Sequence, residues 1–188
     1  MQKGFYFDQS RCTGCSTCSV ACKDWHNIEA GPASWRRVTT LEQGKYPKVF
    51  VTFLSLSCVH CAHPPCLAAC PAGAITKQQE DGIVVVDRGA CLGKERCGMA
   101  CALACPYGAP QFEADDNAKM QMCDLCLERW QEGRKPVCVD ACPMRALDAG
   151  PVADLRARYG EVREVEGFIY RAEVGPSVHF KPRQREPG

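Results

Sequence analysis

The sequence predicts an α+β fold in which short strands and helices are joined by long loops that wrap groups of cysteines. Two observations predict it. The chain of 188 residues holds sixteen cysteines in four groups of four, with none left over. Short runs of β-branched and aromatic residues, typical of strands, lie directly before two of these groups. The groups are Cys12, Cys15, Cys18 and Cys22; Cys58, Cys61, Cys66 and Cys70; Cys91, Cys97, Cys101 and Cys105; and Cys123, Cys126, Cys138 and Cys142.

Four short segments are predicted as strands. Residues 5–8 precede the first cysteine group, and residues 83–87 precede the third. Residues 49–56 form the longest apolar stretch, which is rich in β-branched and aromatic side chains. The Asp-Gly pair that ends at Gly82 is a hairpin signal. Residues 74–76 are therefore expected to pair with residues 83–87 across this turn.

Two helices and a tail are predicted in the last third of the chain. Residues 127–131 have a helical pattern, which Gly133 ends. Residues 152–158, after the last cysteine group, are predicted as a short helix. Residues 181–188 are polar and rich in proline, so we expect a tail that frays or extends over a partner.

The spacing within the groups indicates iron–sulfur chemistry. The first group reads C-x2-C-x2-C-x3-C, the bacterial ferredoxin run for [4Fe–4S] clusters. A cubane has four iron corners that each take one thiolate, and cysteines three residues apart in a short loop can wrap three of them. The fourth cysteine lies one helical turn further on and points away from its own loop. In two-cluster ferredoxins it binds the other cluster. Four complete sets of ligands therefore predict four [4Fe–4S] clusters and a conductor of electrons.

An internal repeat follows three of the groups. Cys70, Cys105 and Cys142 each begin the pattern Cys-Pro-x-x-Ala. The proline fixes φ and ends the helical turn that carries the cysteine. The first group departs from this repeat, because Lys23 follows Cys22.

Disulfides and zinc are alternative uses of the cysteines. Disulfide frameworks belong to small secreted chains, and no apolar leader precedes Cys12. Zinc sites usually join two separated C-x2-C pairs or use histidine. The fourth group, taken alone, fits zinc. The first two groups crowd three cysteines into seven or nine residues, which suits a cubane better. Iron–sulfur clusters are therefore the leading interpretation.

Composition excludes several classes of function. The net charge of +1 gives no sign of binding to nucleic acid or to an anionic membrane. Apolar residues reach 46% only with the sixteen cysteines included, so clusters are expected to act as much of the core. The apoprotein is then not expected to fold stably. No segment is long enough to span a membrane. We expect a cytoplasmic protein, with export in the folded state beside a partner as the alternative.

Other polar residues give no catalytic constellation. The sequence has no nucleophile elbow, phosphate loop or dinucleotide fingerprint, so the chain is not expected to be an enzyme on its own. His60 and His63 lie among the ligands of the second group, which already has four cysteines. They are expected to hydrogen-bond near a cluster and tune its potential. Arg36 and Arg37 are expected at the surface, either solvated or in ion pairs with a partner.

Longer segments around the cysteines carry a specific resemblance to a known family. The segments are Arg11-Cys-Thr-Gly-Cys-Ser-Thr-Cys-Ser-Val-Ala-Cys-Lys-Asp24, Arg36-Arg37, Leu56-Ser-Cys-Val-His-Cys61, Asp81-Gly-Ile-Val-Val-Val-Asp87, Cys105-Pro-Tyr-Gly-Ala-Pro-Gln111 and Lys135-Pro-Val-Cys-Val-Asp-Ala-Cys-Pro-Met-Arg-Ala-Leu147. With these segments the sequence resembles the iron–sulfur electron-transfer subunit of dimethyl sulfoxide reductase and its relatives, over residues 4 to 160. It is also similar to the small polyferredoxin subunits of tungsten aldehyde oxidoreductases.

The resemblance implies the domain organisation. It implies two bacterial-ferredoxin-like domains, one inserted in the other, with long cluster-wrapping loops. Residues 1–57 and 107–150 would form the outer domain, with cysteine groups one and four. Residues 58–106 would form the inserted domain, with groups two and three. Residues 151–188 would be a C-terminal extension.

The resemblance also implies how the groups share clusters. One set would be Cys12, Cys15, Cys18 and Cys142, and a second Cys22, Cys123, Cys126 and Cys138. A third would be Cys58, Cys61, Cys66 and Cys105, and a fourth Cys70, Cys91, Cys97 and Cys101. The four clusters would form a line. Met122 stands where relatives often carry a basic residue, and this apolar neighbour is expected to lower the potential of the nearby cluster.

The third group departs from the family pattern. Lys94 stands where the family has its second cysteine, and residues 102–105 look inserted before the proline. The simplest interpretation is a [4Fe–4S] cluster on Cys91, Cys97 and Cys101, with Cys105 crossing over. The alternative is one idle cysteine and a [3Fe–4S] cluster.

The function that the resemblance implies is electron transfer to or from a large catalytic subunit with a molybdenum- or tungsten-pterin cofactor. A further redox subunit or carrier would complete the path of electron transfer, and contact between copies of the protein is a further option. A free-standing polyferredoxin and a structural zinc-binding interaction module are the alternatives.

Overall fold

The computed structural model describes residues 1–185, which form seven strands and seven helices. These elements are only three to nine residues long, because cysteine-bearing loops interrupt the chain so often. The strands are β1 (Lys3–Asp8), β2 (Arg37–Lys45), β3 (Lys48–Leu56), β4 (Ile75–Lys77), β5 (Val84–Val86), β6 (Leu147–Pro151) and β7 (Val178–Lys181). The helices are α1 (Thr17–Trp25), α2 (Pro65–Ala68), α3 (Lys94–Cys97), α4 (Ala100–Ala104), α5 (Leu127–Gln131), α6 (Val137–Asp140) and α7 (Val152–Tyr159).

A three-stranded sheet of order β6-β1-β7 joins the two ends of the described residues. The central strand β1 is antiparallel to β6 and parallel to β7. Phe5 and Phe7 on β1 are buried, as a central strand of aromatic residues requires. Helix α7 packs on this sheet, and its last residue, Tyr159, stacks on Tyr6 with ring centroids 3.8 Å apart.

The other four strands form two separate hairpins. The long hairpin pairs β2 with β3 in antiparallel register, from Arg37 opposite Leu56 to Lys45 opposite Lys48. The short hairpin pairs β4 with β5 around a turn in which Gly82 has φ of 70°. Only glycine adopts that left-handed conformation without a steric penalty.

The core combines a few apolar side chains with the cysteines themselves. Eleven of the sixteen cysteines are buried. The same core cluster contains Phe5, Phe7 and Leu54 from the outer strands and Ile75, Ile83 and Val84 from the short hairpin. The cysteine groups therefore lie inside the molecule, and the sheets lie around them.

All the strands and helices predicted above are confirmed, and three strands are additional. The additional strands are β2, the partner of β3 in a hairpin, and β6 and β7, which pair with the distant β1. Lys181, the predicted start of a tail, is the last residue of β7, so this prediction is wrong at that position. Residues 182–185 of the predicted tail are exposed and have no regular secondary structure, and residues 186–188 lie outside the described residues. Over residues 1–185 no helix combines the length and apolar character that crossing a membrane requires.

Candidate metal centres

Short helices position the third and fourth cysteine of every group. The third cysteine is always the second residue of a helix, and the fourth follows four residues later, one helical turn away. The third cysteines are Cys18 in α1, Cys66 in α2, Cys101 in α4 and Cys138 in α6. The fourth are Cys22, Cys70, Cys105 and Cys142. One local unit thus recurs four times.

A left-handed residue follows the first cysteine of every group by two positions. These residues are Gly14, His60, Gly93 and Leu125, with φ of 72°, 43°, 91° and 59°. The turn brings a backbone amide back to the sulfur: His60 N–H donates to Cys58 Sγ at 3.4 Å, and Leu125 N–H donates to Cys123 Sγ at 3.4 Å. Two of these positions are not glycine, so the surroundings hold an unfavourable conformation in place.

The Cys-Pro-x-x-Ala repeat supplies a second kind of amide donor. Ala109 N–H donates to Cys105 Sγ at 3.4 Å, and Ala146 N–H donates to Cys142 Sγ at 3.3 Å. Each alanine is the fourth residue after its cysteine, which explains the length of the repeat. Hydrogen bonds to a thiolate favour the charged form, so these turns prepare the sulfur to act as a metal ligand.

Two sets of cysteines from different groups line apolar pockets. One pocket is lined by Cys12, Cys15, Cys18 and Cys142. Another is lined by Cys70, Cys91, Cys97 and Cys101. In both, three cysteines come from one group and the fourth crosses from another.

The other eight cysteines are brought together in the same crossed manner. Burial raises the pKa of Cys22, and the neighbouring thiols of Cys123, Cys138 and Cys126 raise it further. Burial and the thiol of Cys105 raise the pKa of Cys61 to about 11 and that of Cys66 to about 12. We define the first cage as Cys12, Cys15, Cys18 and Cys142, the second as Cys22, Cys123, Cys126 and Cys138, the third as Cys58, Cys61, Cys66 and Cys105, and the fourth as Cys70, Cys91, Cys97 and Cys101.

Neighbouring cages approach one another in numerical order. Burial raises the pKa of Cys138, and Cys18 of the first cage also raises it. Burial raises the pKa of Cys58 in the third cage, and Cys123 of the second cage raises it further. Burial and Cys97 raise the pKa of Cys101 in the fourth cage to about 12, and Cys66 of the third cage adds to the effect. The cages therefore succeed one another from first to fourth.

The two terminal cages reach the surface, whereas the second cage does not. Cys15 of the first cage is exposed, and a hydrogen bond from the Thr17 hydroxyl lowers its pKa. Cys97 of the fourth cage is half-buried, as is Cys105 of the third. All four cysteines of the second cage are buried.

Arg36 is not at the surface, so the expectation of a solvated or partner-bound arginine is wrong for this residue. It is 2% exposed. Its guanidinium donates to Ser57 Oγ at 2.8 Å and to Ser55 Oγ at 3.2 Å. Burial alone would lower its pKa, but the nearby thiols, led by Cys138 and Cys18, reverse this effect and raise it. Arg37 is half-buried and donates to the Tyr107 carbonyl at 3.0 Å.

The two histidines of the second group have different environments. His60 is fully buried, its Nδ1 accepts a hydrogen bond from Val84 N–H at 3.1 Å, and burial lowers its pKa to about 3. The imidazole of His60 beside Cys58 is therefore neutral. His63 is exposed. Met122 is buried beside Cys123, as an apolar neighbour of the second cage, and its effect on a potential stays a prediction.

Two further side chains at the cages were missed by the sequence analysis. His26 Nε2 lies 3.2 Å from Cys126 Sγ, and its ring packs on Trp35 with centroids 4.4 Å apart. The Ser55 hydroxyl lies 3.4 Å from Cys18 Sγ. Both residues reach their cysteine from a distant part of the sequence, so no local pattern reveals them.

The residues fit [4Fe–4S] clusters. Each cage offers four sulfur atoms, the ligand set of a cubane. Burial raises the pKa of most of these thiols, so four thiolates together need a positive metal core to balance them. Arg36 Nε is buried among the sulfurs without a hydrogen-bond acceptor in the described residues, and a cluster would supply one.

Family comparisons agree with the cysteine pattern. Residues 49–152 match a family described as 4Fe-4S dicluster domain, and residues 11–75 match a second family with the same description. The two matches overlap, so they do not count the clusters.

Several curated proteins are similar over almost the whole sequence. One chain of the anaerobic dimethyl sulfoxide reductase of Escherichia coli (strain K12) is 42% identical over 189 residues, which cover 96% of the present protein and 89% of that relative. Its namesake from Haemophilus influenzae is 44% identical, over 97% of the present protein and 90% of that relative. A subunit of the sulfite dehydrogenase of Allochromatium vinosum is 33% identical, over 98% of the present protein and 84% of that relative.

Proposed function

Because the protein belongs to the 4Fe-4S dicluster family, together with its relatives from the anaerobic dimethyl sulfoxide reductases, we propose that each of its four cages holds one [4Fe–4S] cluster. The protein is an iron–sulfur electron-transfer subunit of an oxidoreductase complex and is not catalytic by itself. Bound in the cages, the clusters would supply reversible one-electron chemistry.

The observation that carries the proposal is the succession of the cages. Sulfur atoms of neighbouring cages are close enough to shift one another's pKa, from Cys18 and Cys138 at one end to Cys66 and Cys101 at the other. The second cage is buried, Cys15 of the first cage is exposed, and Cys105 of the third and Cys97 of the fourth are half-buried. A chain of sites that is accessible on both sides of a buried member suits a relay that receives electrons at one surface and delivers them at another.

The protein's own residues bind, orient and shield each proposed cluster. The cysteines supply the ligands, and backbone amides such as those of His60, Leu125, Ala109 and Ala146 donate to their sulfurs. Hydrogen bonds to ligand sulfurs and exclusion of water both set the potential of an iron–sulfur site. Different cages have different donors, so their potentials are expected to differ.

We propose the domain organisation stated above for the same protein. Residues 1–57 and 107–150 would hold the first and second cages, and residues 58–106 would hold the third and fourth. The crossing of Cys142 to the first group and of Cys70 to the third supports this division, because each cage then draws its ligands from one unit. The short hairpin of β4 and β5 lies within the proposed inserted unit.

The proposed partner is a large subunit with a molybdenum- or tungsten-pterin cofactor, together with a further redox subunit or carrier. The relatives that are named as chains of dimethyl sulfoxide reductases support a partner of that type. Exposed apolar side chains near both terminal cages suit contact with other proteins: Val20 and Met144 near the first, and Leu103 near the fourth. A cytoplasmic location stays a prediction.

Metal analysis of the full-length protein purified without oxygen tests this proposal. We expect about sixteen irons per chain and as many acid-labile sulfides, four of each per cluster. The EPR spectrum should be silent in the oxidised state and show coupled signals after reduction. About fifteen irons with a signal in the oxidised state would indicate a [3Fe–4S] cluster, the alternative for the unusual third group. Zinc in place of iron would contradict the proposal, and molybdenum or tungsten in a copurifying large subunit would identify the partner.

A further inference from the structure

The buried cation Arg36 lies where the first two cages meet. Its guanidinium is anchored by two serine hydroxyls, at 2.8 Å from Ser57 Oγ and 3.2 Å from Ser55 Oγ, and it lies 4.5 Å above the Phe5 ring. None of the residues in the range 1–185 offers it a carboxylate within ion-pair distance. A buried charge without a partner is strongly destabilising, so its counter-charge must come from elsewhere.

The groups that face Arg36 are sulfur atoms of two different cages. They are Cys18 of the first cage, and Cys138, Cys123 and Cys22 of the second. Ser55 Oγ, which accepts a hydrogen bond from the guanidinium at 3.2 Å, lies 3.4 Å from Cys18 Sγ. A cluster held by four thiolates carries net negative charge, and reduction adds one more electron to it. The natural counter-charge of Arg36 is therefore the pair of clusters on either side of it.

We propose that Arg36 is a shared counter-charge that raises the reduction potentials of the clusters held in the first and second cages. The inference rests on the proposed function, because it needs clusters in both cages. A fixed positive charge stabilises the reduced state more than the oxidised state, since the reduced cluster is more negative. Burial makes the effect strong, because water does not screen it. Arg36 acts through the charge and touches no substrate, so it is a potential-setting residue and not a catalytic one.

A shared charge has a second effect on electron transfer. Two adjacent reduced clusters repel each other, and the attraction of a cation between them to both clusters offsets part of this cost. Arg36 therefore makes the state in which both clusters are reduced easier to reach than it would be without the charge.

Arg37 provides a matched control from the next position in the sequence. The thiol that faces Arg37 is Cys105 of the third cage, and its guanidinium donates to the Tyr107 carbonyl at 3.0 Å. Arg37 begins β2 and Arg36 lies in the bend just before it, and the two guanidiniums have different hydrogen-bond partners. Loss of its charge should leave the potentials of the first two clusters unchanged.

The test is an EPR-monitored redox titration of the full-length protein carrying Arg36→Gln, Arg36→Lys or Arg37→Gln. In Arg36→Gln we expect two of the four clusters to be harder to reduce, with at least a tenfold change in their ratio of oxidised to reduced forms at a fixed potential, or about 59 mV for one electron. Arg36→Lys should recover most of this loss because it keeps the charge. Arg37→Gln should leave those two clusters at the wild-type potentials.

Ser57→Asp keeps the proposal testable if Arg36→Gln does not assemble its clusters. It leaves Arg36 in place and sets a carboxylate against the Nη2 atom that now donates to Ser57 Oγ. The clusters of the first and second cages should again become harder to reduce, the third should shift as well because its ligand Cys58 adjoins the new carboxylate, and the fourth should stay unchanged. Unchanged potentials in these variants, or an equal shift of all four clusters, would overturn the proposal. The iron content of the wild-type protein separates this failure from failure of the proposed function, since only the latter removes the clusters.

Discussion

The loops of the first and third cysteine groups build the same kind of cage from different spacings. In the first group the second cysteine follows the first by three residues, and in the third it follows by six, because Lys94 stands at the regular position. Both loops nevertheless place the third cysteine second in a short helix and the fourth one turn later. Both also have a left-handed glycine two residues after the first cysteine. The turn and the helix therefore define a cage, and the position of the second cysteine can vary.

The extra residues of the third group are absorbed by one short helix and two left-handed residues. Helix α3 carries Lys94 to Cys97, and Gly98 and Met99 then reverse the backbone direction where α4 begins.

In both loops the side chain of a lysine donates hydrogen bonds to two backbone carbonyl groups. Lys94 Nζ donates to the carbonyls of Glu113 and Ala114, whereas Lys23 Nζ donates to those of Glu29 and Gly31.

The surroundings of the two loops differ more than the loops themselves. The first loop lies beside Phe7 of β1 and Leu147 of β6, in the three-stranded sheet on which α7 packs. The third loop lies beside the two-stranded hairpin of β4 and β5. An isolated two-stranded hairpin is marginally stable in water, so the third loop depends more on bound metal.

Removal of the clusters should have the largest effect and should expose this difference. We expect the demetallated protein to lose its cooperative thermal transition, because metal binding and folding are coupled at such sites. Amide protection from hydrogen exchange should be lost completely over residues 91–105 and should persist in part in β1 and β6. Calorimetry and hydrogen exchange measure the two outcomes. Equal residual protection of both regions would contradict the proposal that the third loop depends more on bound metal than the first.

Replacement of one ligand in each loop should cost each cage one iron. Cys15→Ser and Cys97→Ser should each lower the iron content from about sixteen to about fifteen per chain and give an EPR signal in the oxidised state. The pair tests whether the displaced second cysteine of the third group is a ligand. A full iron content in Cys97→Ser, with a loss in Cys15→Ser, would make Cys97 the idle cysteine.

Loss of the lysine anchor should have a moderate effect in the third loop. Lys94→Met removes hydrogen bonds from a charged donor to two carbonyls and should destabilise the cluster-loaded protein by about 1 kcal/mol. Lys23→Met removes the corresponding bonds of the first loop, which are exposed, and should cost less. Denaturant unfolding without oxygen measures both. A larger loss in Lys23→Met would reverse the expected order.

Substitution of Asp148 should have the smallest effect. Asp148 lies on β6, in the three-stranded sheet beside the first loop. Burial opposes ionisation, but hydrogen bonds from Lys135, Tyr159 and the Ala149 amide outweigh it and lower the pKa of Asp148 below 3.8. The stabilisation is then complete above the unfolded-state pKa and is lost as the pH falls through the folded-state value. Asp148→Asn should therefore lower the melting temperature slightly and equally at pH 6 and pH 8. A loss that differs between these pH values would contradict the assignment.

The local features of the molecule could be predicted from sequence, because they depend on neighbouring residues. The grouping of the cysteines, the short hairpin and the helices at residues 127–131 and 152–158 all follow from spacing and turn signals. The left-handed Leu125 could not be predicted, because nothing in its side chain favours that conformation.

Features that depend on distant parts of the sequence could not be predicted from local patterns. Strand β6 contains Asp148 and Gly150, which are poor strand formers, and it is a strand because β1 pairs with it. Arg36 has the polarity of a surface residue, and only the assembled cages reveal the negative surroundings that retain it in the interior.

The parallel pairing of β7 with β1 has a consequence for synthesis on the ribosome. Phe5 lies opposite Val178, so the first strand to emerge waits for nearly the last before the sheet closes. The three thiols of Cys12, Cys15 and Cys18 likewise wait for Cys142, and translation at about 5–20 residues per second makes this delay on the order of 10 s. All four cysteine groups have left the ribosome before the last strand docks. A nascent chain thus presents every ligand to the cell's cluster-assembly machinery while the fold is still open, and β7 closes the fold afterwards.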